Sequence, residues 1–396
     1  MNRVSLLAMI AAAGILAACQ EELTTPVDCP ELCPGNSLIV LDTTIEAVFD
    51  RDSTFTGYLR ATDIPALLVS NALPAGDARS WATFPRRSDS VTVDGLAHAL
   101  TLDSAAITFH VLALDKTVTG TQLVVHRIAP LVDTNTTFAE IDAQLTPGSE
   151  IGSIAVSDTG NARLVLTGDA LQNIAVTEAD SFRLGIGLRL NAPSPTGIRL
   201  ASLNFDSRPP TMTLYGKIVI ADTSKVRQTL TAVADSANYV ITAPAPPGQE
   251  HLFLGGKQGS RAILRFIPPA ALKDSAIILR ATLELTPAGP QLGLAGDPAS
   301  LEVRGVLADV GAKSPYLSGV NASAQLLAGV SAVQSVDIRN IVATWFVAGA
   351  PPSTLMIGIT PEGGSFARPE FFSTRSPSGR PRIRITYALP SQPGHP

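Results

Sequence analysis

Cysteine has the most reactive side chain in this sequence. Cys29 and Cys33 lie close together in residues 28–35, DCPELCPG. In an exported protein an even pair of cysteines forms a disulfide, which would close a small loop here. Two free thiols are the alternative interpretation. A metal site is disfavoured because it needs further ligands and no histidine lies nearby. Neither thiol is placed where a catalytic nucleophile is expected.

Side chains and motifs typical of catalysis are sparse and scattered. The histidines are His98, His110, His126, His251 and His395. They form neither an HExxH motif nor a close ligand pair, and no GxSxG nucleophile elbow occurs. A phosphate-binding loop is excluded because Gly255-Gly256-Lys257 lacks its upstream glycine and its Ser/Thr. The sequence predicts no enzyme, no catalytic residue and no cofactor.

The carboxylates give no stronger indication of a catalytic or metal site. A glycosidase needs two of them to meet across the fold, about 5 to 9.5 Å apart, and sequence spacing does not test that. Loop residues such as Asp297 and Asp309 are of the type that binds a structural Ca²⁺, but no ligand spacing supports such a site. We therefore predict no metal.

Aromatic rings on an open sheet face could stack against sugars, and three residues are candidates for ligand contact: Trp81, Tyr58 and Tyr316. Alternation along the strand places Trp81 on one face with Thr83, opposite Phe84. The alternative interpretation, which is favoured for Trp81, is that it fills the core or a domain interface.

The amino end predicts export. Residues 1–18 carry one cation, Arg3, followed by an uncharged stretch over residues 4–18, the plan of a secretory signal peptide. The stretch is shorter than the roughly 20 apolar residues of a membrane span. Leu16-Ala17-Ala18-Cys19 resembles the bacterial lipobox, and this resemblance implies cleavage before Cys19 and lipidation of that cysteine. An ordinary signal peptide with a chance cysteine is the alternative.

The residues after Cys19 predict where the anchor lies. Aspartate at the next position often retains a lipoprotein in the inner membrane, and Gln20 instead favours the outer membrane of the cell envelope. Residues 19–37 are then a lipidated tether, rich in Pro, Glu and Thr, that holds the folded part away from the membrane.

Composition predicts an all-β protein. The 396 residues suffice for two domains, and Gly (31) and Pro (30) punctuate many short apolar runs. Net charge is −5, and the basic run Arg380-Pro381-Arg382-Ile383-Arg384 alternates like a strand with one solvated face. No basic cluster resembles a nucleic-acid footprint, so nucleic acid is excluded as a partner.

Four blocks recur in the same order in two halves of the chain. The first half contains residues 76–84, 102–112, 123–128 and 204–215, and the second contains 259–266, 273–285, 301–306 and 371–387. The repeat predicts a divergent β-sandwich over residues 38–220 and a second over residues 227–390, divided near residues 221–226. Ile338, Ile341, Val342 and Trp345 recur at helical spacing, so a short helix is predicted with Trp345 in the core.

The second half resembles the DNRLRE-type domains of bacterial surface proteins and the related carbohydrate-binding modules. The matching segments are DSANYV (235–240), RAILRF (261–266), ATLEL (281–285), the helix ending in Trp345, FFS (371–373) and RPRIRITY (380–387). The resemblance covers residues 227–388, and it reaches 38–219 only through the repeat. The first half departs from it, since residues 167–174 replace the tryptophan-bearing helix. The family implies tandem jelly-roll-like β-sandwiches, and its motifs are core and turn residues that imply no ligand.

The sequence thus predicts a non-catalytic envelope protein, attached to a membrane through lipid on Cys19. Its sandwiches are expected to bind a glycan or another envelope component. The alternative is a structural scaffold that engages envelope proteins without binding glycan, and the scarcity of aromatic residues favours this second interpretation.

Overall fold

The described part of the chain runs from residue 39 to residue 389. The computed structural model describes these residues except 58, 61–62, 87–89, 131–134, 178–179, 205–207, 222–223, 243–247, 258, 273–275 and 348. The predicted signal peptide, the predicted tether with Cys19, Cys29 and Cys33, and Tyr58 lie outside the described residues. Within them, no helix has the length and apolarity needed to cross a membrane.

The chain forms two antiparallel β-sandwiches, which confirms the all-β prediction. One sandwich, here called the inserted sandwich, is built from residues 66–241. Its strands are β3 (Ala66–Asn71), β4 (Ala78–Phe84), β5 (Ser90–Val93), β6 (Leu96–Ala99), β7 (Thr101–Leu114), β8 (Gln122–Ile128), β9 (Glu150–Ala155), β10 (Gly160–Thr167), β11 (Leu184–Asn191), β12 (Thr196–Ala201), β13 (Thr211–Ala221), β14 (Ser224–Val233) and β15 (Ser236–Ile241).

The other sandwich, here called the outer sandwich, is built from residues 39–56 together with residues 251–389. Its strands are β1 (Ile39–Glu46), β2 (Ser53–Thr56), β16 (His251–Phe253), β17 (Ser260–Arg265), β18 (Ile277–Leu285), β19 (Ala299–Val306), β20 (Tyr316–Leu326), β21 (Gln334–Asp337), β22 (Thr354–Thr360), β23 (Glu370–Phe372) and β24 (Arg382–Leu389).

The sheet pairing corrects the predicted domain boundaries. Residues 221–226 lie within the β13–β14 hairpin, whose strands pair from Thr211↔Val233 to Ala221↔Ser224, so no domain ends there. At the amino end, β1 pairs along its whole length with β24, from Ile39↔Leu389 to Glu46↔Arg382. The inserted sandwich is therefore an insertion between β2 and β16. Sequence repeats mark similar segments, but backbone hydrogen bonding decides which segments fold together.

The two sandwiches share the order of their central strands. In the inserted sandwich one sheet runs β14-β13-β7-β12-β3, with β10 also paired to β7, and the other runs β15-β4-β11-β8-β9. In the outer sandwich the sheets run β1-β24-β18-β21 and β2-β17-β22-β19-β20, and β16 pairs separately with β23. The internal repeat thus has a structural counterpart.

Each sandwich encloses its own apolar core, to which both of its sheets contribute. The outer core contains Leu264 and Ile357 from one sheet and Leu283 and Ile383 from the other. The inserted core contains Phe84 and Ile186 facing Ile107 and Leu214 in the same way. Leu283 and Ile383 alternate with more exposed residues, as expected of strands that bury one face, whereas the neighbours of Phe84 in β4 are buried as well.

Short helices close the ends of the sheets. Helix α1 (Phe138–Asp142) begins with a capping box in which Thr137 and Glu140 bond each other's backbone amides. Helix α2 (Arg339–Ala343) continues into a 3₁₀ turn, Thr344–Phe346. Trp345 is buried there and stacks on Phe266 at a centroid separation of 6.3 Å, which confirms the predicted helix and the core position of its tryptophan.

The sandwiches meet through strand β15 and the loop between β22 and β23. Tyr239 is fully buried, and its hydroxyl donates to the Gly363 carbonyl oxygen at 2.8 Å. Phe366 of this loop packs into an apolar cluster with Leu68 and Tyr239 of the inserted sandwich. Position 197 is glycine because a Cβ there would stand 2.9 Å from the Phe366 ring.

Candidate functional site

Trp81 lies on the outer face of its sheet, as its alternation with Phe84 predicts, but this face is covered. The indole is 4% exposed and packs with Ile128, Ile141 and Leu145. Opposite it in the sheet is Gly187, where a Cβ would lie 2.5 Å from Leu145. The candidate ligand contact at Trp81 is therefore corrected: the ring fills a small second core beneath helix α1.

The covering segment is held over the sheet by polar contacts. Arg79 Nε donates to Asp142 of helix α1 at 2.7 Å, and its guanidinium lies over the Phe138 ring at 4.9 Å. Thr83 Oγ donates to the Pro130 carbonyl at 2.9 Å. The favoured interpretation of Trp81 as a packing residue agrees with this arrangement.

Tyr316 stays at the surface, where 45% of it is exposed. The Arg304 guanidinium carbon lies 4.2 Å from its ring centroid, and Arg304 also donates to Glu302 at 2.7 Å. One face of the ring is thus occupied by a cation held in place by a carboxylate. Only the other face is left for a sugar.

A polar groove crosses the solvent-facing side of the β1-β24-β18-β21 sheet and is the best candidate site in the described part of the chain. Its volume is about 380 Å³. It is lined by residues of four neighbouring strands, namely Asp42, Thr43, Thr44, Arg280, Thr282, Glu284, Ser335, Arg384, Ile385 and Thr386. Arg280, Thr282 and Glu284 of β18 follow the two-residue period of a strand whose other face is buried.

Charges in this groove are only partly neutralised by one another. Glu284 accepts from Arg382 Nε at 2.7 Å and lies 3.7 Å from Arg384 Nη1, while Asp42 accepts from the Thr386 hydroxyl at 2.6 Å. Arg280 is exposed at a register shift in β18, where the pairing with β24 skips Leu279. The groove therefore offers arginine donors, carboxylate acceptors and threonine hydroxyls side by side.

A second cavity, of about 280 Å³, lies where the sandwiches meet. Its walls are mostly apolar and include Tyr239, Phe253 and Phe366, with Lys257 among them. The Lys257 ammonium lies 5.6 Å from the centroid of the Tyr239 ring, and burial lowers its pKa. The cavity shares its residues with the interface cluster, so we assign it to packing between the sandwiches.

The two aspartates considered as calcium ligands are engaged by arginines. Asp309 binds Arg265 through both carboxylate oxygens, and this hydrogen bonding lowers its pKa. Asp297 lies 3.0 Å from Arg199 of the inserted sandwich. Burial raises the Asp297 pKa against the opposing effect of Arg199. Among the described residues, no group of three or more His, Cys, Asp or Glu side chains is arranged to hold a metal.

The four histidines within the described residues each contact a different part of the fold. His110 Nδ1 contacts Asn161 at 3.0 Å, and His98 Nδ1 contacts the Val219 carbonyl at 2.8 Å. His126 is buried, with Nδ1 3.1 Å from the Thr146 carbonyl, and burial lowers its pKa. His251 stacks edge-on against Phe372. Each of the four rings therefore has a partner elsewhere in the fold.

Sequence reasoning missed the groove because its residues come from segments far apart in the chain. Asp42 and Thr386 are separated by 344 positions and become neighbours only when β1 pairs with β24. The alternation of arginines in β24 was visible and was interpreted correctly as one solvated face, but nothing in the sequence indicates which strand lies beside it.

No protein-family model and no curated protein matches the chain. A chain in the structure of the Macrobrachium rosenbergii nodavirus aligns over 91% of its length with 90% of this one, at 11% identity. The TM-score of that alignment is 0.14, which carries no conclusion about fold or function.

Proposed function

We propose that the chain is a non-catalytic, lipid-anchored protein of the bacterial envelope. The groove of its outer sandwich binds a glycan. The anchoring part rests on the lipobox-like segment ending at Cys19 and on the tether after it. The binding part rests on a single observation, the polar groove of about 380 Å³ on an open sheet face.

The chemistry of the groove suits a polyhydroxylated ligand. Arginine presents several donors in a fixed plane, and a carboxylate accepts from two hydroxyls at once. Threonine hydroxyls such as Thr44 and Thr282 can both donate and accept. A shallow groove with donors and acceptors along several strands fits a chain of sugar rings better than a compact apolar metabolite, which needs an enclosed pocket.

The test is a binding measurement with the proposed mature chain, residues 19–396 carrying Cys19→Ser. Retention would be measured on insoluble polysaccharides and on isolated envelope, followed by titration with soluble fragments of the retained material. Arg280→Ala should weaken binding by about tenfold, the effect of losing one charge-assisted hydrogen bond.

Arg227→Ala is the matched control, because Arg227 is also an exposed strand arginine but lies on β14 of the inserted sandwich. Equal weakening by both changes would point to a general charge effect. Binding that neither change affects would place the ligand outside the groove, and failure to bind any glycan would reject glycan binding.

A structural scaffold is the second candidate function, and it is favoured because the aromatic rings are wholly or partly covered. Trp81 is enclosed beneath helix α1, and Arg304 covers one face of Tyr316. A scaffold predicts retention on envelope that protease treatment of the envelope abolishes. A glycan-binding protein predicts retention that survives this treatment.

A further inference from the structure

Two segments of the chain are related in sequence and take equivalent places in the two sandwiches. The N-terminal arm is residues 39–56, strands β1 and β2, and contains Thr-Ile-Glu-Ala-Val-Phe-Asp at 44–50. The internal arm is residues 224–241, strands β14 and β15, and contains Thr-Leu-Thr-Ala-Val-Ala-Asp at 229–235. Each arm adds one edge strand to each sheet of a sandwich.

The arms are exchanged relative to the sequence repeat. In the repeat, each arm directly precedes one set of core strands, β3–β13 or β16–β24. In the fold, the N-terminal arm instead joins β24 and β17, and the internal arm joins β13 and β4. The outer sandwich is thus completed by a segment that precedes the inserted sandwich in the sequence, whereas its other strands follow the inserted sandwich. A core that accepts an arm from so far along the chain does not require that arm to be its neighbour in sequence.

The N-terminal arm is held by backbone pairing, by ions and by a few apolar side chains. Ile45 and Ala47 are buried in the outer core, and Phe55 packs against Ile263 and Met356. Asp52 is also buried and accepts from the Thr374 backbone amide at 2.8 Å. Asp50 binds Arg375 Nε at 2.6 Å, and Glu46 lies 3.8 Å from Arg380. Such an arm leaves two bare sheet edges when it detaches, and a bare edge is a template for pairing with another strand.

Charge distinguishes the two arms. The N-terminal arm has four carboxylates and one arginine, a net charge of −3, whereas the internal arm has two cations and one carboxylate, a net charge of +1. Strand β24 presents Arg382 and Arg384 to its partner. Matching residues 44–50 with 229–235 puts Thr231 at the place of Glu46, so the internal arm would lose the carboxylate that lies opposite Arg382, and opposite charges across a ladder stabilise a sheet. The outer core therefore selects the acidic arm.

We propose that the outer sandwich also accepts the N-terminal arm of a second copy of this chain, so that two copies form a dimer by reciprocal arm exchange. Both outer sandwiches are then complete, and neither copy leaves a bare edge. Exchange of an identical element is a low-cost route to a dimer because the contacts within each sandwich are unchanged. Since β1 carries Asp42, each groove of the dimer contains residues of both copies.

The test uses cysteine pairs across the β1–β24 ladder in residues 19–396 with Cys19, Cys29 and Cys33 changed to serine. Asp42 and Thr386 are paired in register and their side chains touch, so cysteines at these two positions are within reach of a disulfide. Chains carrying only Asp42→Cys are mixed with chains carrying only Thr386→Cys. The mixture is unfolded, refolded together at high protein concentration and oxidised.

Arm exchange predicts a disulfide-linked dimer on a denaturing gel, with a yield that falls when the mixture is refolded at low concentration. The control mixture replaces Thr386→Cys by Ser323→Cys, an exposed site on β20 of the opposite sheet, and should lack this band. The double variant Asp42→Cys/Thr386→Cys reports pairing within one chain.

Complete linkage within the double variant, with no dimer from the mixture, would overturn the proposal, since the arm would then bind only its own chain. A dimer band of equal strength in the control mixture would overturn it as well, because the linkage would be collisional. Absence of linkage in the double variant would overturn the strand pairing on which the proposal stands.

Discussion

The inserted and outer sandwiches share the order of their central strands but differ in how the chain supplies those strands. Residues 66–241 provide every strand of the inserted sandwich in one continuous stretch. The outer sandwich has its first two strands on one side of that stretch and its remaining strands on the other. The same architecture is thus local in one case and dependent on a distant segment in the other. Closing such a long loop adds an entropic cost, which contacts of the arm must offset.

The outer faces of two equivalent sheets also differ. Arg79 in β4 and Arg261 in β17 occupy matching places in the repeat. Arg79 binds Asp142 of a helix that covers Trp81, while Arg261 binds Glu362 through both carboxylate oxygens, at 2.6 Å for the shorter contact with Nη2. At the place of Trp81 the outer sandwich has Ile263, which packs with Met356 and Phe55. In the inserted sandwich a helical segment covers the outer face of this sheet. In the outer sandwich the equivalent face carries the Arg261–Glu362 ion pair and the side chains of Met356 and Phe55.

The largest expected effect concerns which fragments fold. Residues 66–242 contain every strand of the inserted sandwich, so this fragment should give a cooperative thermal transition by circular dichroism. Residues 38–220, the boundary predicted from the repeat, lack β14 and β15 and carry β1 and β2 without β24 and β17. That fragment should show no cooperative transition. The reverse result would mean that the arms prefer the unexchanged arrangement.

This comparison also shows where sequence reasoning succeeds. Short apolar runs punctuated by Gly and Pro predicted the all-β class, and helical spacing predicted the helix that leads to Trp345. The blocks of the repeat match strands of equivalent sheet position. Local pattern is enough for these features because side chains of one strand or one helix decide them.

Predictions that depend on pairing between distant segments were wrong, or such pairing was missed. The boundary at residues 221–226 failed because the repeat does not say which arm joins which core.

The next largest effect tests the covered face of the inserted sandwich. Trp81→Ala should destabilise this sandwich by about 3 to 5 kcal/mol, the usual cost of deleting a buried aromatic side chain. Denaturant unfolding of residues 66–242 measures it. Tyr316→Ala in the full chain is the contrasting change, because its ring is 45% exposed and should cost far less. A small loss at Trp81 would mean that the helix α1 segment does not hold the ring as described.

A smaller effect is a dependence of stability on pH that arises from His126 of the inserted sandwich. Burial lowers the pKa of His126 from its ordinary value of 6.5, so the folded state favours the neutral ring. The stability associated with this group is present above pH 6.5 and is lost as the pH falls through the lowered pKa of the folded state. His126→Gln should flatten the loss of stability between about pH 6.5 and 5. His98→Gln, in the β5–β6 hairpin, is the control variant.

The smallest effect concerns the junction between the two sandwiches. Burial lowers the Lys257 pKa from 10.5, so the charged ammonium disfavours the folded state at neutral pH. Stability linked to this group is therefore present above pH 10.5 and is lost as the pH falls through the lowered pKa. Lys257→Met removes the charge and should stabilise the chain at pH 7 by about 1 kcal/mol, as replacing a buried charge by an apolar group often does.

The stabilisation by Lys257→Met should shrink as the pH rises toward 10.5, because the wild-type lysine then becomes neutral as well. Lys313→Met, at an exposed position of the outer sandwich, should change the thermal midpoint little at any pH. Destabilisation by Lys257→Met would instead mean that the attraction between the ammonium and the Tyr239 ring, 5.6 Å away, outweighs the cost of burying the charge. In that case the lysine would be one of the contacts that hold the inserted sandwich against the outer one.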